Sequence, residues 1–331
     1  MKSKNFRRFI RKIFVLSLPF IFLVGVFIYT DPFKVINNYK EFNSDPFSLN
    51  QSYVCWQNYL NNRDSMKYDS FLLGNSCSMA YRMADWKEHI GDSQPISLMG
   101  SGESLYSINA KIKKLSSMGI PVRNIIILMD NSILKYVSKP IKHTFLLHYD
   151  ITGDSKISFQ STFLQAFLNP NILIPYLDYL FFGEKKAYMN GIIGSSKVLR
   201  NKLTNDLYNP REEEIKVDSL TYYKKHACDF REVMAIDSDI VIGVKQLDML
   251  KEIKLYIDKT GAAFKIIINP SYQQYKMSLK DLNILESVFG KTNVFDYSGT
   301  QEFSTNKGFF YESAHYRPNL GKLILREIYN Q

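Results

Sequence analysis

The first thirty residues contain no acidic side chain, and this absence accounts for most of the chain's excess positive charge. The 331 residues include 42 Lys and Arg against 32 Asp and Glu, a formal net charge of +10. Six basic residues precede Asp31, so the remainder is nearly balanced, with 36 basic and 32 acidic residues. Basic stripes interleaved with aromatics, zinc-finger spacings and RNA-binding aromatic motifs are also lacking, which argues against nucleic-acid binding.

Cysteine is scarce as well, since the chain contains only Cys55, Cys77 and Cys228. In an oxidising compartment three cysteines permit one disulfide and leave one thiol over. A bridge from Cys55 to Cys228 is one open pairing, whereas Cys77 is expected to be a small buried residue at a helix start. The sequence also lacks a P-loop, a Rossmann fingerprint, a zinc-protease motif and an EF-hand loop, so it predicts no cofactor and no metal.

A single long apolar run follows the basic cluster. Residues 13–29, IFVLSLPFIFLVGVFIY, carry no charge and are at the short end of what crosses a bilayer core. Because positive charge stays on the cytoplasmic side, the N-terminus is expected inside and the main domain outside, in the periplasm or on the cell surface. A cleaved secretory signal is the alternative, but no small-x-small cleavage site precedes Asp31, which favours an uncleaved single-pass anchor.

The rest of the chain alternates short apolar runs with helical patterns, which predicts a parallel sheet in an α/β fold. Predicted strands lie at 70–73, 95–99, 124–129, 264–269 and 293–297, and predicted helices at about 76–90, 104–118, 278–289 and 318–329. The expected organisation is a tail and anchor at 1–30, a juxtamembrane linker at 31–67 and one domain at 68–331. A mostly helical insertion at about 135–240 interrupts that domain and is expected over the carboxyl edge of the sheet.

Two distant segments suggest nucleophilic catalysis. In FLLGNSCSMAYRM, residues 71–83, Ser76 follows a buried strand at a helix start, where backbone N–H groups favour developing negative charge. In YESAHYRP, residues 311–318, Glu312 and His315 lie three apart just before the last helix. A serine needs a base, and a histidine base needs an orienting carboxylate. The alternatives without catalysis are a capped turn at Ser76 and a surface turn that carries Glu312 and His315.

The order of these motifs resembles the SGNH (GDSL-like) hydrolase superfamily, whose fold is a three-layer α/β/α sandwich. LLGNSCS resembles its nucleophile block and MGSGES its second block, where a glycine N–H joins the oxyanion hole. YESAHY resembles the fourth block. The resemblance implies Ser76 as nucleophile, His315 as base and Glu312 as orienting acid, with the N–H groups of Ser76 and Gly102 holding the oxyanion; Gly100 is the alternative glycine.

The third block departs from the family pattern. The family has Gly-x-Asn-Asp, whereas this chain has LMDNS, which aligns Asp130 with the donor and leaves Asn131 one place off. Asn131 is therefore the expected third oxyanion donor. After the fourth strand, Tyr272 and Tyr275 are candidates for stacking on sugar rings, with packing inside the insertion as the alternative.

The N-terminal anchor, TDPF at 30–33 and HYRPNLGKLIL at 315–325 resemble membrane-anchored members that modify cell-surface polysaccharides, including alginate O-acetylation and teichoic acid D-alanylation proteins. The resemblance implies an exported acyl esterase or O-acyltransferase acting on a cell-surface glycan or exopolysaccharide. A transferase also implies a membrane-bound O-acyltransferase as partner, because the activated acyl donor must be supplied outside the cytoplasm. The alternative is a non-catalytic glycan-binding or scaffold protein of an acylation complex.

Overall fold

The computed structural model of the chain describes residues 2–43, 47–194, 199–230 and 236–330, and it shows an α/β protein. Within those residues the helices are α1 Lys2–Thr30, α2 Gln51–Met66, α3 Met83–Ile90, α4 Leu105–Ser117, α5 Asn131–Lys135, α6 Tyr149–Thr152, α7 Lys156–Phe167, α8 Pro170–Phe182, α9 Arg211–Val217, α10 Ser219–Lys225, α11 Val244–Thr260, α12 Leu279–Phe289 and α13 Pro318–Tyr329. The strands are β1 Ser70–Leu73, β2 Pro95–Ser97, β3 Asn124–Met129, β4 Leu199–Arg200, β5 Leu207–Tyr208, β6 Ile236–Asp237, β7 Ala263–Ile268, β8 Tyr275–Lys276 and β9 Val294–Asp296.

Five of these strands form one parallel sheet in the order β2-β1-β3-β7-β9. In its register Phe71 of β1 lies between Ile96 of β2 and Ile125 of β3. The predicted parallel sheet is confirmed, and the bounds of β1 and β3 are those expected from their apolar runs. Such uninterrupted apolar strands are typical of a sheet whose two faces are both covered.

Both faces of the sheet are indeed covered, by different helices. On β3, Ile125, Ile127 and Met129 pack with buried residues of α2, α4, α11 and α12. The alternate residues Ile126 and Leu128 point the other way and pack with residues of α3 and α13. This period-two alternation follows from strand geometry, because successive side chains leave opposite faces.

The described residues divide into two compact units. The larger unit takes those within 40–44, 50–153 and 198–331 and contains the five-stranded sheet. The smaller unit takes those within 1–39, 45–49 and 154–197. Of the predicted insertion, the described residues within 154–194 group with α1, whereas those within 199–240 group with the sheet.

The smaller unit is held by aromatic packing at the end of α1. Phe27 lies 5.4 Å from Phe167 of α7, and Phe33 lies 5.2 Å from Phe163, between ring centroids. The preceding part of α1 exposes its apolar side chains: residues 5–30 include a membrane-length window of high mean hydropathy of which 6% is buried. By length and composition, α1 can therefore cross a membrane.

One expectation about local structure is wrong. The continuous helix predicted at 76–90 is a 3₁₀-helix from Ser76 to Ala80, followed after a break by α3. The segment 31–67, expected as a linker that packs on the domain, contains α2, whose Trp56 is fully buried in the core of the larger unit. A weakly periodic helix with aromatic residues packs on that core, so its burial is decided by tertiary contacts and not by its own pattern.

The cysteines form no disulfide. All three are free, with Cys55 buried and Cys228 exposed, so the open Cys55 to Cys228 pairing is absent. Instead, the Sγ atom of Cys55 lies 3.2 Å from a guanidinium nitrogen of Arg200.

Candidate active site

The strand order creates a crevice at the carboxyl edge of the sheet. From β1 the chain goes to β2 on one side and then to β3 on the other, so the segments following β1 and β3 diverge. Open parallel sheets bind ligands at such a switch point. Ser76 follows β1 and Asp130 follows β3, which places both at this crevice.

The turn that carries Ser76 is shaped by its two preceding residues. Gly74 lies against β3, where an added Cβ would come within 2.7 Å of the Leu128 Cβ atom, so a larger residue does not fit. The Asn75 side chain accepts a hydrogen bond from the Cys77 N–H at 3.0 Å and thereby caps the 3₁₀-helix. The Gly-Asn-Ser sequence thus makes a tight strand-to-helix turn with Ser76 at its outer end.

The structure brings the three expected catalytic side chains together. The Ser76 Oγ atom lies 2.7 Å from His315 Nε2, and His315 Nδ1 is hydrogen-bonded to Glu312 Oε1. The second Glu312 oxygen accepts the Ala314 N–H at 3.0 Å. With Nδ1 protonated toward Glu312, Nε2 is the acceptor for the Ser76 proton, which is the tautomer a general base requires.

The environment of Glu312 keeps it suited to this role. Burial opposes its ionisation, but hydrogen bonds from His315 and the Ala314 N–H outweigh burial and hold the pKa of Glu312 below its usual value. An ionised carboxylate orients the imidazole and stabilises its charged form. The glutamate side chain at position 312 therefore reaches the histidine and is ionised for this contact.

The loop that carries Glu312 and His315 is clamped by α9 and α10 of the larger unit. The Glu212 carboxylate of α9 accepts two hydrogen bonds from the Arg317 guanidinium, at 2.7 and 3.1 Å, and one from the Tyr311 hydroxyl at 2.7 Å. From α10, the Tyr222 hydroxyl donates to the Tyr311 carbonyl at 2.7 Å. These bonds fix the backbone on both sides of His315. Nothing in the sequence linked residues 209–215, NPREEEI, which contain Glu212, to this loop.

A close helix contact connects the nucleophile to the base. Gly321 of α13 packs against the 3₁₀-helix so tightly that an added Cβ would lie 2.1 Å from the Ala80 carbonyl oxygen. That 3₁₀-helix begins with Ser76, and α13 begins three residues after His315. The only sequence signal for this contact was a glycine inside an otherwise good helical pattern, which usually has a packing reason.

The backbone at Gly102 is compatible with an oxyanion hole. Gly102 has a positive φ of 58°, and an added Cβ would lie 2.8 Å from the Phe145 ring, so glycine is required there. Gly102 and Ser76 line the same cavity, and neither backbone N–H donates to an acceptor among the described residues. The alternative, Gly100, is excluded because its N–H donates to the Gly74 carbonyl at 3.1 Å.

The loop containing Gly102 is anchored by a buried ion pair. Lys111 of α4 is fully buried, donates to the Leu98 carbonyl at 2.8 Å and pairs with Glu103. Leu98 precedes the loop, and Glu103 directly follows Gly102. One ammonium group therefore holds both ends of the segment that carries the glycine, although the sequence indicated only an amphipathic helix here.

The third expected oxyanion donor, Asn131, lines the same cavity as Ser76 and Gly102 but is partly engaged. One N–H of its amide donates to the Asp239 carbonyl at 3.1 Å, and the second N–H remains for another acceptor. The Asp130 carboxylate instead accepts from two amides, those of Asn75 at 2.6 Å and Asn269 at 2.9 Å. Asp130 thus ties the ends of β1, β3 and β7 together.

A large cleft opens from the triad. Its volume is about 1070 Å³, and its lining includes Ser76, Gly102 and His315. Of the two tyrosines expected to stack on sugars, Tyr275 lines this cleft and is 44% exposed. Tyr272 does not, because its ring packs at 5.1 Å from Phe230 and 5.6 Å from Phe310, between centroids. A second cavity of about 860 Å³, between α11 and α12, contains none of the triad.

The thiol beside Ser76 is not a competing nucleophile. Cys77 is buried, and burial raises the pKa of its thiol well above the usual value, with the Asp130 and Glu312 carboxylates adding to the effect. A neutral thiol is a poor nucleophile. The geometry therefore favours the Ser76 hydroxyl, which has a base in contact.

The described residues contain no group of three or more His, Cys, Asp or Glu side chains arranged to hold a metal ion. In comparisons with known proteins, no family model matches the chain, and no curated protein is significantly similar to it.

Proposed function

We propose that the chain is a membrane-anchored serine acyl esterase or O-acyltransferase of the SGNH type that acts on a cell-surface glycan. The observation that carries the proposal is the continuous contact Ser76 Oγ, His315 Nε2, His315 Nδ1 and Glu312 in one cleft. The parallel sheet with helices on both faces supports an SGNH-like three-layer sandwich, and the order of the motif segments around its carboxyl edge adds to that support.

The proposed reaction begins when Ser76 Oγ attacks an acyl carbonyl and His315 Nε2 takes the hydroxyl proton. The Ser76 and Gly102 N–H groups stabilise the oxyanion of the tetrahedral intermediate. The intermediate collapses by breaking the bond to the leaving alcohol, which receives the proton from His315 and leaves an acyl-serine. Water then releases the acid and regenerates the serine; a sugar hydroxyl in its place gives transfer.

The setting of this chemistry follows from α1. The basic residues before its apolar window predict a cytoplasmic N-terminus and an exported main domain. Transfer outside the cytoplasm needs an activated acyl donor, so a membrane-bound O-acyltransferase is the partner that this version of the function requires. Hydrolysis needs no such partner.

The test uses the full chain in detergent and a serine-directed fluorophosphonate. Wild type is expected to be labelled on Ser76, and Ser76→Ala is expected to lose all labelling and all release of acetate from acetylated oligosaccharides. The matched control is Ser117→Ala, an exposed serine of α4 that is expected to behave as wild type. Unlabelled wild type, or full acetate release by Ser76→Ala, would refute the proposal.

A non-catalytic glycan-binding or scaffold role is the second candidate, and one observation favours it. The third block presents the Asp130 carboxylate where the family has an amide donor, and one N–H of the neighbouring Asn131 amide donates to the Asp239 carbonyl. A negative group near the oxyanion opposes the developing charge. In this case wild type and Ser76→Ala bind oligosaccharide with equal affinity, and fluorophosphonate does not label wild type.

A further inference from the structure

The cleft continues well beyond the triad. From Ser76 and His315 it extends past the end of β7 to the small β6–β8 ribbon, and Asp237 and Tyr275 of this ribbon are among its lining residues. Its volume of about 1070 Å³ exceeds that of most sites that bury one small molecule. An acyl group alone fills little of it, so the remaining part is available to the molecule that carries the acyl group.

The charges on this surface are predominantly negative. Three carboxylates line the cleft, those of Asp130, Asp237 and Asp239, against the single ammonium of Lys135. Asp237 and Asp239 are exposed and form no ion pair with any described residue. Lys276 is the register partner of Asp237 in the ribbon but forms no ion pair with it, and most of the excess positive charge of the whole sequence lies in the N-terminal tail.

The uncharged part of the lining offers hydrogen bonds. The side chains of Gln246 and Gln273 provide amide donors and acceptors, and Tyr275 offers a hydroxyl and the apolar face of its ring. Hydroxyl and amide groups of this kind pair with sugar hydroxyls without needing a charge.

We propose that the glycan bound in this cleft is uncharged, in contrast to a polyanion built from uronates or phosphodiesters. This inference rests on the proposed function and specifies its substrate class. An anionic sugar near Asp237 and Asp239 would be repelled by both carboxylates. Each repulsion should weaken the binding affinity about threefold to tenfold at low ionic strength. The anionic polymers handled by the proteins that the sequence resembles would therefore be disfavoured.

The experiment compares two acetylated oligosaccharides of equal length, xylopentaose and pentagalacturonate, as substrates of the full chain in detergent. Wild type is expected to release acetate with a kcat/KM about tenfold or more higher for the neutral probe at low salt. Raising the salt should narrow the gap, because screening weakens the repulsion. Equal values for the two probes, or faster turnover of the galacturonate, would overturn the inference.

Two variants test the assignment to these carboxylates. Asp237→Asn combined with Asp239→Asn is expected to lower the ratio of neutral to anionic kcat/KM about tenfold. The control is Asp64→Asn, which removes one carboxylate charge from a 95% exposed side chain on α2 and should leave the ratio unchanged. A ratio that the double variant does not change, or that Asp64→Asn lowers equally, would contradict the role of the cleft.

Failure of the proposed function can be told apart from failure of this inference. If fluorophosphonate does not label Ser76 and neither probe releases acetate, the esterase proposal fails. Titration calorimetry with the deacetylated oligosaccharides then tests charge selection alone. Binding of xylopentaose in preference to pentagalacturonate supports the inference, whereas preference for the anionic probe, or binding of neither, overturns it.

Discussion

Replacing Gly321 with alanine should separate the nucleophile from its base. The added Cβ would lie 2.1 Å from the Ala80 carbonyl oxygen, whereas Cβ contacts under 3.0 Å essentially never occur in proteins. The 3₁₀-helix and α13 must therefore move apart by about 1 Å. Ser76 begins one of these elements and His315 precedes the other, so we expect the 2.7 Å contact between Oγ and Nε2 to lengthen.

The two expected effects differ in size. Overpacking typically costs about 1–3 kcal/mol, and the better helix propensity of alanine returns about 1 kcal/mol of that. The net loss of stability is thus about 2 kcal/mol or less, which is a small shift in Tm. A misplacement of about 1 Å at a catalytic group lowers the rate by about 10²-fold. Reactivity should fall far more than stability does.

The assay measures the rate of fluorophosphonate labelling and the thermal unfolding of the same full-length samples in detergent. The matched control is Gly243→Ala, because a Cβ there meets nothing closer than 3.4 Å. If fluorophosphonate labels Gly321→Ala at the wild-type rate and the Tm is unchanged, this contact does not set the distance between Ser76 and His315, and the reasoning is refuted.

Three further predictions follow from buried or protected groups. Glu212→Gln should lower the free energy of unfolding by about 2 kcal/mol near neutral pH. Hydrogen bonds from Arg317 outweigh burial and hold the pKa of Glu212 below its usual value, so the stability that the carboxylate contributes is present above that usual value and is lost as the pH falls. Denaturant titrations of wild type and variant should therefore converge in acid. Iodoacetamide should alkylate Cys228 in the native chain and spare the two buried cysteines until unfolding, as read by peptide mass spectrometry; rapid native labelling of all three contradicts this. Lys111→Met should destabilise the chain by about 3–5 kcal/mol because Glu103 is left buried without its partner, and unfolding at the wild-type denaturant midpoint would argue against the pair.

Local sequence patterns were sufficient for the elements that bury uninterrupted apolar runs. β1 and β3 have the predicted bounds, and α13 begins at Pro318 as expected, because strand burial and helix starts depend on neighbouring residues. The same patterns did not predict helix α2, which has few periodic apolar positions and is buried through Trp56.

The candidate site was predictable only in part, for a related reason. Ser76, Glu312 and His315 were found from residue type and motif order, which the chain carries locally. The use of the Asn131 amide by Asp239, the packing of Tyr272 and the link from Asp130 to Asn269 involve groups that are distant in the chain. Their partners depend on which loops meet at the sheet edge.

The amino-acid order alone therefore determined the α/β class, the strand positions, the apolar N-terminal helix and the three chemically distinctive side chains, because each is encoded within a few turns of chain. Only the tertiary structure decided that Ser76 and His315 touch, that α9 and α10 clamp the base loop, and that the cleft is lined by carboxylates. Those outcomes depend on how separated segments pack, and close approaches such as Gly321 against Ala80 leave little trace in a local pattern.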